Sequence, residues 1–216
     1  MKKTEIKAIV FDVGGVIFLI KNKKKRQTKN LLTSYKEFCF LLKGINIPRE
    51  EFWEKTLELF KKSSGGEVTK KQNLKILSET LQTTPKKVEH LFDKTLKDNI
   101  IENKKIIKII SRLKNKGYKL GILSNQSVLS NDILIPKKII NLFDASIISC
   151  IDKVKKPSPE AFKLILKKLK SKPKKAIFID DKQNNVDAAE KLGIKGIFFQ
   201  NNRQFLRDLK KFGVKT

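Results

Sequence analysis

Five residues of this 216-residue chain have side chains that together could act on a phosphoryl group: Asp12, Ser124, Lys156, Asp180 and Asp181. All except the lysine lie at or just after an apolar, β-branched run typical of a buried parallel strand. Because parallel strands end on the same edge of a sheet, we expect these side chains to converge there. The set offers a nucleophilic carboxylate, a hydroxyl, an ammonium group and two acids suited to a divalent metal ion.

Four short segments carry these residues, in a fixed order: Ile9–Val16, Gly121–Asn125, Lys156–Pro159 and Ile177–Asp181. Their order and residue types resemble the haloacid dehalogenase-like (HAD) hydrolase superfamily, and the resemblance spans nearly the whole chain. It implies a Mg²⁺-dependent phosphatase that hydrolyses a small phosphomonoester, such as a sugar phosphate. Asp12 would then form an aspartyl-phosphate. Taken alone, Asp12 is more readily interpreted as a turn-forming residue before two glycines, and the other three segments reverse that preference.

The first segment departs from the pattern of most phosphatases in this family. In the HAD family the residue two positions after the nucleophile gives its backbone carbonyl to the metal, and the resemblance assigns this role to Gly14. Most family phosphatases have a second aspartate at this position, although a subset with an Asp-x-Gly-[Asn/Gly]-Val segment, some acting on sugar phosphates, does not. The resemblance therefore leaves open which group transfers the proton.

The second and third segments supply hydrogen-bond donors and a positive charge. By resemblance, the Ser124 hydroxyl and the Asn125 backbone N–H hold phosphate oxygens, although a Ser-Asn pair is also common in turns. Lys156 matches the family lysine, which steadies both the aspartate and the phosphate. Lys153 and Lys155 are nearby rivals, but Pro157 and the helix start that follows favour Lys156.

The fourth segment places two acids directly after a buried strand, which is costly without a cation or strong donors. Oxygen ligands suit Mg²⁺. The family pattern makes Asp181 the direct ligand, Asp180 a water-mediated or indirect partner, and Asn185 a supporting residue. The alternative is a helix-capping cluster of aspartates.

Other conspicuous residues have simpler interpretations. His90, the only histidine, is expected to be a solvated or partly buried helix residue rather than a base. Trp53 is expected to pack in a helical core rather than bind substrate. Cys39 and Cys150 lie far apart in apolar stretches, as small buried side chains do.

The hydrophobic patterning predicts an α/β fold: a Rossmann-like parallel sheet with helices on both faces, plus an inserted helical cap that resembles a four-helix bundle. The predicted strands are Lys7–Val13, Lys119–Leu123, Ala145–Ser149, Ala176–Ile179 and Gly196–Phe199. The predicted core helices are Ile106–Lys116, Pro159–Lys170, Asn185–Leu192 and Gln204–Phe212.

No convincing strand is predicted between about residues 18 and 100. Helical spacing predicts a helix over Thr28–Lys43, a second opened by Pro48, a third capped by Thr69 and a fourth starting at Thr84-Pro85. We therefore divide the chain into a core, residues 1–17 and 101–216, and a helical cap, residues 18–100. By resemblance, the cap closes over the site and selects the substrate.

The net charge of +27 raises the question of nucleic-acid binding. Only five of the 49 basic residues are arginine, and lysines are scattered over every predicted helix, as on ordinary solvated faces. The densest cluster, Lys21–Lys29, lies in a predicted loop. We expect no specific nucleic-acid partner, only weak and salt-sensitive polyanion binding.

Location and assembly are constrained more loosely. No apolar run reaches the roughly 18 residues that a membrane span needs. A cleavable signal at the N-terminus would remove the strand before Asp12, which favours a cytoplasmic location. A monomer or a homodimer is expected.

Apart from a polyanion-binding protein, which is the least favoured alternative, two other functions compete with a phosphatase. One is a dehalogenase, which uses the same aspartate but does not need the metal, so the acid pair argues against it. The other is a low-activity phosphate-ligand sensor or interaction module, suggested by Gly14.

Overall fold

The computed structural model describes residues 5–21, 39 and 42–215. Its centre is a five-stranded parallel sheet made of β1 Ala8–Phe11, β4 Lys119–Ser124, β5 Ala145–Ile148, β6 Ala176–Asp180 and β7 Lys195–Phe198. The spatial order of these strands is β5-β4-β1-β6-β7. The predicted parallel α/β fold is confirmed, and each predicted strand is present with its ends no more than two residues from the predicted ones.

Strand β1 lies in the middle of the sheet because it is apolar on both sides. Phe11 aligns with Ile122 of β4 on one side and with Ile179 of β6 on the other. Alternate residues of β1 enter different apolar cores, with Ala8 and Val10 on one face and Ile9 and Phe11 on the opposite face. A strand buried on both faces reads as a continuous apolar run, which is why its position was predictable.

Helices cover both faces of the sheet. One face packs against α4 Lys104–Asn115 and α10 Asn202–Lys211, and the other against α8 Pro159–Lys168 and α9 Gln183–Lys191. Three four-residue helices that were not predicted complete the connections. They are α5 Asn131–Leu134, α6 Lys137–Ile140 and α7 Ser149–Asp152.

A separate group of helices comprises α1 Arg49–Gly65, α2 Lys70–Thr80 and α3 Pro85–Asn99. Thr69 caps α2 through a reciprocal capping box with Gln72, and Thr84 caps α3. Pro48 lies at the N-cap of α1, one residue before the predicted first turn. The apolar faces of these helices share one core. The predicted helix Thr28–Lys43 and the cluster Lys21–Lys29 lie almost entirely outside the described residues.

The expectation of no strand between residues 18 and 100 was wrong. Strands β2 Phe18–Ile20 and β3 Ile100–Glu102 form an antiparallel pair at the two ends of this segment. Each has three residues, too few for alternation to be recognised, and each depends on a partner about eighty positions away for its hydrogen bonds.

Within the described part of the chain, no helix combines the length and the apolar character needed to cross a bilayer.

Candidate active site

Three adjacent strands bring the predicted acids and the serine to one edge of the sheet. Asp12 follows β1, Ser124 is the last residue of β4, and Asp180 is the last residue of β6. All three side chains are buried. The Ser124 hydroxyl donates a hydrogen bond of 3.0 Å to Asp12 Oδ1. The convergence expected from parallel strands is therefore present.

Lys156 is the positive centre of this cluster. Its Nζ lies 2.8 Å from Asp12 Oδ1 and 2.6 Å from Asp180 Oδ2, and its side chain is only 2% exposed. The rivals Lys153 and Lys155 are both exposed. Of these three lysines, Lys156 is therefore the one that contacts the acids, which decides a choice that the sequence left open.

Asn125 holds the backbone of Lys156 in place. Its side-chain amide donates a hydrogen bond of 2.9 Å to the Lys156 carbonyl and accepts one of 2.9 Å from the Lys156 N–H. The residue was predicted for its backbone N–H, and its side chain adds this link between two loops.

Gln126, which was not singled out from the sequence, fixes the serine. Its buried side-chain amide donates a hydrogen bond of 3.0 Å to Ser124 Oγ and accepts one of 2.9 Å from the Ser130 hydroxyl. With Gln126 donating to it, the Ser124 hydroxyl directs its own proton to Asp12. The only hint in the sequence was a polar residue two positions after a strand-ending serine.

The two adjacent acids have different environments. Both oxygens of Asp180 accept hydrogen bonds within the protein: Oδ1 from the Lys182 N–H at 2.8 Å, and Oδ2 from Lys156 and from the Asn185 amide at 3.0 Å. Asp181 instead packs against Gly15, where an added Cβ would lie 2.0 Å from Asp181 Oδ2. Gly15 has φ +77°, so this close approach and this backbone conformation both require glycine.

The donor set fits a hard cation. Asp12, Asp180 and Asp181 are buried, and each offers an oxygen within 4.8 Å of the others. Three carboxylates face one ammonium group, so the cluster carries an excess of negative charge when fully ionised. Oxygen ligands and uncompensated negative charge are what Mg²⁺ requires of a protein.

The pKa values reflect the same crowding. Burial, with the negative charge of Asp180, raises the pKa of Asp12 above its usual value despite the opposing effect of Lys156. Burial and the charges of Asp12 and Asp180 raise the pKa of Asp181 to about 7. Burial acts to lower the pKa of Lys156, but the two carboxylates outweigh it, and its pKa is raised.

These values predict how Asp181 affects stability in the absence of divalent metal. The folded pKa of about 7 exceeds the value of roughly 3.9 in an unfolded chain, so the folded state binds this proton more tightly. The cost of ionising Asp181 is therefore absent below about pH 4, grows as pH rises, and is complete above about pH 7. In chelator at pH 8, Asp181→Asn should melt several degrees above the unmodified protein, since 1 kcal/mol corresponds to about 2–4 °C at this size.

Thermal unfolding followed by circular dichroism between pH 5 and 8 measures this difference, which should shrink toward the acid end. Asp187→Asn, on the exposed side of α9, is the matched control and should melt like the unmodified protein throughout. A stability difference for Asp181→Asn that is the same at every pH would show that ionisation of this acid is not the cause.

A cavity of about 130 Å³ opens from the acid cluster toward helices α1, α2 and α3. Asp12, Gly14, Lys156 and Asp181 line its inner end. His90 is exposed, consistent with a solvated helix position, and Trp53 is half-buried against the core of these helices. Cys39 is buried and Cys150 is half-buried. Burial raises the pKa of the Cys150 thiol to about 11.

The fold and the site define a hydrolase of one family. The family model described as haloacid dehalogenase-like hydrolase matches residues 6–193. The chain therefore belongs to the haloacid dehalogenase-like hydrolases, as its four segments indicated, and is an enzyme of that family.

Similar proteins include both curated sequences and solved structures. Bifunctional epoxide hydrolase 2 of Sus scrofa is 30% identical over 129 residues, covering 57% of this chain and 23% of that protein. Glyceraldehyde 3-phosphate phosphatase of Pyrococcus furiosus is 30% identical over 104 residues, covering 47% of this chain and 43% of that protein. The chain thus spans less than half the length of either relative in these matches.

Among solved structures, the magnesium complex of a HAD family enzyme from Bacteroides thetaiotaomicron superimposes with a TM-score of 0.70 at 20% identity. The match covers 94% of this chain and 98% of that one. At this identity the similarity establishes a shared fold.

Proposed function

We propose that this protein is a Mg²⁺-dependent phosphatase that hydrolyses a small phosphorylated metabolite through an aspartyl-phosphate on Asp12. One observation carries the proposal: the Asp12 carboxylate is held between the Lys156 ammonium and the Ser124 hydroxyl, at the inner end of a cavity. A buried carboxylate oriented in this way is a nucleophile with its counter-charge already in place.

The first half of the reaction forms the covalent intermediate. Lys156 and Ser124 both contact Oδ1 of Asp12, so we assign the attack on phosphorus to Oδ2. As the Asp12 O–P bond forms, the ester P–O bond breaks, and the departing alkoxide takes a proton from water. Lys156 and the donors at Ser124 and Asn125 hold the phosphoryl oxygens while charge shifts onto the leaving group.

The second half restores the enzyme. A water molecule attacks phosphorus, gives up a proton to solvent, and displaces the Asp12 carboxylate, which releases inorganic phosphate. In both halves of the reaction, the positive charge of Lys156 offsets the negative charge of whichever neighbouring carboxylate, Asp12 or Asp180, is ionised at that stage.

The metal ion would be held by the Asp12 and Asp181 carboxylates and the Gly14 carbonyl. Asp180, whose oxygens are already engaged by protein donors, and Asn185 would position these ligands indirectly. When bound, Mg²⁺ supplies positive charge that attracts the phosphate and offsets the charge that develops on it. A structurally similar Bacteroides enzyme forms a complex with magnesium and inorganic phosphate, which supports magnesium as the metal but does not assign its ligands. The similarity to a glyceraldehyde 3-phosphate phosphatase of Pyrococcus supports a small phosphate ester as the substrate.

We also propose that residues 18–100 form a cap over a core of residues 1–17 and 101–216. The cavity between the acid cluster and helices α1, α2 and α3 supports this division. A cytoplasmic location, a monomeric or homodimeric state and the lack of a specific nucleic-acid partner remain predictions.

The test is phosphate release from a panel of phosphorylated metabolites, with and without divalent metal. We expect turnover to disappear in chelator and to return with Mg²⁺. Isothermal titration with Mg²⁺ should show a larger loss of affinity for Asp181→Ala than for Asp180→Ala, and no loss for the exposed control Asp187→Asn. The reverse ranking would overturn only the ligand assignment.

Equal phosphatase activity with and without chelator would remove the metal from the mechanism. Halide release from 2-haloacids in chelator, without phosphate release from any ester, would instead identify the dehalogenase alternative. Phosphate binding with no turnover under any condition would identify the sensor.

A further inference from the structure

The outer part of the cavity differs chemically from the acid cluster at its inner end. Its wall is formed mainly by apolar side chains from three helices and a loop. Among them are Leu59 of α1, Leu77 of α2, Phe92 and Leu96 of α3, and Leu129. These side chains offer no hydrogen bonds, so the wall favours an apolar organic group over a polyhydroxylated one.

One polar side chain interrupts this wall. Asn73 lies on α2 one turn before Leu77, lines the cavity and is only 3% exposed. Within the part of the chain that the structure describes, its amide oxygen Oδ1 has no hydrogen-bond partner. A buried acceptor of this kind destabilises the protein unless a ligand or water donates to it.

Other polar groups on the cavity wall are already engaged. The Ser63 hydroxyl accepts a hydrogen bond of 3.2 Å from the Val128 N–H, and the hydroxyls of Ser127 and Ser130 are hydrogen-bonded to each other at 3.1 Å. Asn73 therefore differs from them: it lines the cavity, and its amide oxygen has no hydrogen-bond partner among the described residues.

The size of the cavity limits the ligand. The volume of the whole cavity, including its inner end at Asp12, is about 130 Å³, close to that of an engineered apolar cavity of about 150 Å³ that binds benzene. The outer part therefore admits an organic group no larger than a single ring or a short chain.

We propose that Asn73 is a specificity residue that selects a phosphate ester with a compact, largely apolar organic group bearing one hydroxyl. The hydroxyl bonds to the Asn73 amide, the ring or chain contacts the leucine and phenylalanine wall, and the phosphate reaches Asp12. This inference rests on the proposed phosphatase function and narrows its substrates. It disfavours sugar phosphates, because a sugar would place several hydroxyls against apolar side chains.

The experiment compares benzyl phosphate, its ring-hydroxylated isomers and a hexose phosphate, all with Mg²⁺. The methylene group keeps the leaving groups of the benzyl series similar in acidity, so their differences report on binding. We expect benzyl phosphate to exceed the hexose phosphate at least about tenfold in kcat/KM. The best hydroxylated isomer should gain about a further fivefold, the size of one neutral hydrogen bond.

Asn73→Leu replaces the amide with an apolar side chain of similar size. In this variant the ratio of kcat/KM for the hydroxylated isomer to that for benzyl phosphate should fall to about one. The change should appear in KM rather than kcat, because the lost hydrogen bond contributes equally to the ground state and the transition state. Ser78→Ala is the matched control: Ser78 is buried on the same helix, bonds to the Lys75 carbonyl and does not line the cavity. It should leave the preference unchanged.

Binding of benzylphosphonate and its hydroxylated analogues, which are not hydrolysed, gives a readout independent of turnover. A preference for the hexose phosphate, or a hydroxyl preference that survives Asn73→Leu, would overturn the inference while leaving the phosphatase intact. If no ester is hydrolysed, the proposed function fails; Asn73-dependent binding of the phosphonates would still support the role of Asn73, and its absence would overturn it.

Discussion

Replacing Asp12 with asparagine is expected to reduce phosphate release by at least about 10⁴-fold, as loss of a nucleophile does in other covalent enzymes. The asparagine side chain has nearly the same shape, but its amide does not attack phosphorus. Because Asp180 continues to compensate Lys156, the fold should persist. Single-turnover assays measure the loss of activity. Mass spectrometry after acid quenching should detect a phosphoryl group on Asp12 of the original protein and none on the Asp12→Asn variant.

The control for this variant is Asp187→Asn, which removes an exposed carboxylate from the same chain and should retain full activity. Circular dichroism verifies that both variants are folded. Substantial hydrolysis by purified, folded Asp12→Asn protein would rule out Asp12 as the nucleophile.

Introducing an aspartate at Gly14 is expected to raise the turnover of simple alkyl phosphates by about 10²-fold or more, the usual contribution of a positioned general acid. Gly14 lines the cavity, its φ is not positive, and a Cβ added there meets no atom within 4 Å. The backbone carbonyl that we assign to the metal is unchanged. Space for the missing proton donor is therefore present.

The leaving group provides the measurement. Without a general acid, the unmodified enzyme should hydrolyse bound aryl and acyl phosphates faster than bound alkyl phosphates of similar size. Its single-turnover rate should fall steeply as the leaving-group pKa rises, and Gly14→Asp should flatten this dependence. Gly14→Asn, equal in size but unable to donate an acidic proton, should keep it steep. A flat dependence in the unmodified enzyme, with chemistry rate-limiting, would mean that another residue supplies the proton.

Much of this protein was predictable from local sequence. Strands such as Ile9–Phe11 and Ile177–Ile179 are buried on both faces, so the pattern of burial is written in a continuous apolar run. Because such strands are parallel, the polar residues that follow them necessarily meet at one edge. The order of the four segments therefore determined the family and brought Asp12, Ser124 and the acid pair to a common site.

Only the tertiary structure decided which polar groups touch. Three lysines within four residues are equivalent in composition, but the fold buries Lys156 alone between two carboxylates. Gln126 and Asn73 were missed because their roles depend on contacts that only the tertiary structure decides. Gln126 donates to Ser124 beside Asp12, whereas the buried Asn73 oxygen has no partner among the described residues. Strands β2 and β3 were missed for the same reason: each exists only through a partner far along the chain, and such pairing leaves no periodic pattern in either segment.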